Sequence, residues 1–105
     1  MQFSEILSTL PTVDHLAAIA LYQDGTLLAR IENQPGSAGS VRVYHALINA
    51  ASQIDQAAAQ QGLALYAEHT ADAQQYPGKH PNIDRLLQLS QAAPGSFFHA
   101  ELIQK

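Results

Sequence analysis

Side chains able to do chemistry cluster in one stretch of the chain. It reads Glu68-His69-Thr70-Ala71-Asp72, then Pro77-Gly78-Lys79-His80-Pro81-Asn82-Ile83-Asp84-Arg85-Leu86. Two of the five histidines, three of the nine acids and two of the five basic residues fall inside it. Histidine and carboxylate are the ligands of cysteine-free transition-metal sites. On a helix His69 and Asp72 share a face, being three residues apart. The Pro77-Gly78 turn lets His80 and Asp84 fold back toward them. A three-ligand metal site of His69, Asp72 and His80, with water in an open position, is therefore one candidate. A wider ligand site adds Glu68, Lys79, Asp84 and Arg85. The spacing matches no established metal motif, since the chain has neither H-E-x-x-H nor His-x-His. A purely structural account fits the same residues. Asp84 complements a helix dipole, His80 caps that helix, and Lys79 and Arg85 pair with Glu68 and Asp72.

The other polar residues carry weaker signals. The Gly36–Ser40 loop precedes a helix, where backbone N–H groups can hold an anion. It lacks both a lysine and the Walker spacing. His15, His45 and His99 are scattered, and no serine sits in a nucleophile-elbow context. Cysteine is absent, which removes disulfides, zinc thiolates and cysteine catalysis. The sequence requires no cofactor; a divalent metal is the one candidate.

Composition narrows the partners. Net charge is −4, and the five Lys and Arg are dispersed, so nucleic acid is a poor fit. No apolar run reaches the ~20 residues of a spanning helix, so no membrane partner is expected. The N-terminus lacks the pattern of a signal peptide, and a cytoplasmic location is the expectation. Charged residues make up 13% of the chain, against a usual share of ~25%. A surface this poor in charge tolerates a partner, a second copy included.

These residues need elements to position them. The 105 residues suit one domain, 1–105. Phe3, Ile6, Leu7 and Leu10 predict a short helix ended by Pro11. Residues 15–33 predict a hairpin around Asp24-Gly25, the preferred pair for a type I′ turn. Counting outward pairs Tyr22 with Leu27, Ala20 with Ala29 and Ala18 with Ile31 on an apolar face. Leu21 with Leu28, Ile19 with Arg30 and Ala17 with Glu32 make a mixed face. Ser40 is the expected N-cap of a helix from Val41. Residues 53–76 predict a helix, with a new start near Ser52 and Asp55; a buried strand over Leu63–His69 is the alternative. Pro81 opens another helix packed by Leu86, Leu87 and Leu89. Residues 97–103 alternate as a third strand, with Phe98, Ala100 and Leu102 on one face.

The fold class is thus α+β: a small three-stranded, mainly antiparallel sheet, the hairpin 15–33 plus strand 97–103, packed on one face by helices. The mixed face offers Ile19, Leu21, Leu28, Phe97 and Ile103 among charged residues. A homodimer contact there accounts for it; the alternative is cover by the N-terminal helix.

Tyr66-Ala67-Glu68-His69-Thr70 and the Pro77–Leu86 segment resemble a family of short bacterial proteins catalogued as a domain of unknown function. The resemblance extends over nearly the whole chain, including the hairpin and the Pro35-Gly36 loop. It implies a stand-alone bacterial cytoplasmic protein and no activity. The first functional expectation is a non-catalytic binding or accessory module. The alternative is a metal- or small-ligand-binding protein, in one form a hydrolytic enzyme, built on His69 and His80. Peptide binding by strand addition at a sheet edge is a third option.

Overall fold

The computed structural model describes residues 1–105. In chain order it contains α1 (Phe3–Thr9), β1 (Leu16–Gln23), β2 (Thr26–Glu32), α2 (Ala38–Leu47), β3 (Gln53–Asp55), α3 (Gln56–Leu65), α4 (Glu68–Gln75), α5 (Pro81–Gln91) and β4 (Phe97–Gln104). The class is α+β, as the sequence predicts. The sheet has four strands rather than three, in the order β2-β1-β4-β3, all antiparallel. The strand missed is β3. Its three residues pair Ile54 with Phe98 at the sheet edge, too short a run to show alternation.

The hairpin turns at Asp24-Gly25 with both residues at positive φ, as a type I′ turn requires. Its register differs from the simple count. Tyr22 pairs with Leu27, but Leu21 pairs with Ala29, so Leu28 is an extra, bulged residue. From there on every partner shifts by one, and Ile19 faces Ile31 rather than Arg30. A one-residue slip exchanges the two faces of a strand. Ile19 and Leu21 therefore lie in the core, both at 0% exposure, with Ile31 beside them. The physical reason is size. Fully burying an Ile or Leu contributes about 1.5–3 kcal/mol, whereas a ladder hydrogen bond lost at a bulge costs about 0.5–1.5 kcal/mol.

Phe98 and Ala100 of β4 and Ile54 of β3 complete the covered face. α2 packs on β1 and β2, α3 lies against β3 and α5, and α4 leans on α5. The short α1 packs on α2 and α3 and does not cover the other sheet face. That face carries Arg30, Glu32, His99 and Glu101, all about half exposed. Of the five residues expected at a dimer contact, Ile19 and Leu21 are in the core, Leu28 and Phe97 are exposed, and Ile103 is partly exposed.

Two helix boundaries also differ. α2 starts at Ala38, so Ser40 sits in its first turn instead of capping it. Residues 53–76 form neither one helix nor a strand at 63–69. Asp55 caps α3 by accepting from Ala58 N–H at 2.8 Å. The chain then breaks at Ala67 and restarts as α4. Gly62 lies inside α3, where a methyl group would meet Leu47 Cδ1 and Leu86 Cδ1, each at 2.7 Å. It lets α3 approach α2 and α5.

Candidate functional site

The break between α3 and α4 sets the direction of every side chain in the site. Ala67 adopts φ 52°, ψ −120°, a conformation unfavourable for a residue with a Cβ. Thr70 Oγ1 donates to Leu63 O at 2.6 Å and ties the two helices across the kink. α4 thereby points His69 and Asp72 toward the loop that enters α5.

Asp72 is the hub. Its Oδ2 lies 2.6 Å from His80 Nε2 and 2.9 Å from Lys79 Nζ. The His80 bond, followed by that from Lys79, holds the Asp72 carboxyl below its ordinary range. His80 occupies the N-cap position of α5 but makes no cap bond; its ring turns back to Asp72. Asp84 Oδ2 accepts from Gly78 N–H at 2.9 Å and closes the intervening turn. The rings of His69 and His80 are 5.7 Å apart. Among the candidate residues, then, His69, Asp72, Lys79 and His80 come together.

Glu68 and Arg85 go elsewhere. Glu68 Oε1 accepts from Phe3 N–H at 2.7 Å, fastening α1 to α4. Hydrogen bonds from its own and the Phe3 backbone N–H groups lower its carboxyl. Arg85 turns to Tyr44 and Asn82. The pairing of Lys79 with Asp72 follows the structural expectation; that of Arg85 with an acid does not. No three His, Asp or Glu side chains share metal-holding geometry, the His69, Asp72 and His80 set included. Asp72 meets His80 through a direct hydrogen bond instead. A carboxylate fixing an imidazole is also the orienting half of a catalytic triad, but the bonded partner of this imidazole is Asp72 and no hydroxyl.

Beside this cluster lies a cleft of ≈ 450 Å³. Phe3, Tyr66, His69, Lys79 and His80 line one side, and Gly36, Gly39 and Ser40 the other. Phe3 stacks on Tyr66 with ring centroids 5.3 Å apart and meets the His69 ring edge-on at 5.0 Å. Tyr66 Oη donates to Ser40 Oγ at 2.8 Å. Burial raises the Tyr66 hydroxyl well above its ordinary pKa, so it stays a neutral donor. No carboxylate lines the cleft.

Phe3, Tyr66 and Ser40 are the cleft residues that sequence reasoning gave other roles. Phe3 reads as one residue of a helix stripe, and Ser40 as a cap. Tyr66 sits next to Glu68 and His69, and Ser40 closes the Gly36–Ser40 loop weighed above as an anion holder; Phe3 carried no hint.

The family model described as an uncharacterized protein conserved in bacteria (DUF2322) matches residues 3–97. The chain belongs to this family. The match spans both halves of the cleft, from Phe3 through the Gly36–Ser40 loop to His80. No curated protein and no solved structure matches the chain. No helix of this family member is long and apolar enough to cross a membrane.

Proposed function

We propose that this family member is a non-catalytic binding module whose cleft takes a small anionic ligand. One observation carries this. In a chain with nine acids and five basic residues, the cleft gathers His69, Lys79 and His80 and not one acid. Asp72 bonds both Lys79 and His80 and holds them in place, which lowers the entropy lost when a ligand is gripped. Phe3 and Tyr66 supply an aromatic wall, so a ligand with a flat or apolar body and an anionic end fits best. Isothermal titration against inorganic phosphate, pyrophosphate, citrate and an adenine nucleotide tests it. Binding of at least one, weakened about tenfold by Lys79→Ala or His69→Ala while the fold persists, is expected. Binding by none of the four, or binding indifferent to both substitutions, would overturn it.

Self-association through the open sheet face is the second function we propose. Arg30, Ala20 and Glu101 lie in one row across β2, β1 and β4. A two-fold axis along β1 would set Arg30 of each copy over Glu101 of the other, twice.

A further inference from the structure

Arg85 marks a second site. Its Nη1 donates to Tyr44 Oη at 3.1 Å and to Asn82 Oδ1 at 3.0 Å. Tyr44 is fully buried and itself donates to Asn82 O at 2.6 Å. Burial, the largest effect, pushes the Tyr44 hydroxyl up to about 12, so it remains a phenol and does not neutralise the guanidinium. No carboxylate lies within ion-pair distance of Arg85. Asp84, the preceding residue, lines the same space and gives one oxygen to Gly78 N–H. A guanidinium held on one edge by neutral groups keeps its other donors available for a planar acceptor.

Arg85 lines a cavity of ≈ 370 Å³ between α5 and the end of the hairpin. Leu89 and Phe98 form its buried floor, and the exposed Leu28 of the bulge forms its rim. Gln23 and Gln88 add neutral amides. A guanidinium beside an apolar floor selects a carboxylate joined to an apolar group. We infer that this cavity binds a small carboxylate bearing a short aliphatic chain, its carboxylate on Arg85 and its chain over Leu89 and Phe98. The inference stands apart from the anion cleft, which lies on the other side of Pro81 and contains no part of Arg85.

Free acids and the C-terminus of a peptide share this chemistry. The test is a ¹H–¹⁵N NMR titration of the whole protein with 4-methylpentanoate, with N-acetyl-leucine and with N-acetyl-leucinamide. Shifts at Arg85, Gln88 and Phe98 with one or both acids, and none with the amide, are expected. The acid that binds more tightly identifies the source: a free acid or a chain terminus. Gln88→Glu, on the exposed side of α5, places a carboxylate beside Arg85 without touching the Tyr44 network and should weaken binding about tenfold or more. Arg85→Leu should do the same, and Lys79→Ala should leave binding unchanged. Equal shifts with acid and amide, retained affinity in Gln88→Glu, or shifts confined to His69 and Lys79 would overturn the inference.

Discussion

At the scale of single residues, Asp72 decides how the cleft is wired. One carboxylate oxygen accepts from both His80 and Lys79. Those bonds lower its folded pKa below the unfolded value of 3.8. A lowered carboxyl stabilises the fold above its unfolded pKa, and that contribution is lost as pH falls through the folded value. Wild type is therefore expected to be more stable than Asp72→Asn at neutral pH, with the gap closing below about pH 4; urea titrations at several pH values read it directly. Gly62 is the second residue with a sharp consequence. Gly62→Ala gains about 1 kcal/mol of helix propensity but drives a methyl into two packed leucine side chains, an overpacking cost of about 1–3 kcal/mol. A net loss of about 1 kcal/mol in chemical denaturation is expected. The sequence flagged His69, Asp72, Lys79 and His80 because their types are scarce and adjacent. It could not flag Phe3, whose contacts with Glu68 and Tyr66 span more than sixty residues of chain. Nor did composition indicate that Arg85 would point to Tyr44 instead of an acid.

At the scale of elements, the break at Ala67 is the device that aims the site. An alanine at positive φ carries backbone strain of order 1–3 kcal/mol. Ala67→Gly relieves it and is expected to raise stability by about 1 kcal/mol in the same denaturation assay, less the entropy that glycine adds to the unfolded chain. Tyr66-Ala67 holds no glycine or proline, so nothing local announced the break. The hairpin turn was legible because Asp24-Gly25 has a conformational reason to be there. The bulge was not, because Leu27 and Leu28 are both apolar and either satisfies the alternation. That one residue reversed the face assignment of β1 and moved Ile19 and Leu21 from an expected surface to the core. Strand β3 escaped because Ser52-Gln53-Ile54-Asp55 also reads as a helix start, and Asp55 is indeed a cap, three residues later than the start expected at Ser52.

At the scale of the molecule, one layer of helices on one face of an antiparallel sheet was predictable from periodicity, and it leaves the opposite face open. The row Arg30–Ala20–Glu101 makes a specific demand there. Native mass spectrometry should find a dimer that Arg30→Glu weakens and that the double exchange Arg30→Glu with Glu101→Arg restores; a monomer throughout would contradict self-association. The central claim is the acid-free cleft. Its most direct test is a ¹H–¹⁵N NMR titration with each of the same four anions at low ionic strength, where a half-exposed lysine attracts anions most strongly. Saturable shifts with at least one of them, confined to Gly39, Ser40, His69, Lys79 and His80, and fading as salt is raised, are the predicted result. Shifts scattered over the surface, or none at these residues, would contradict the account.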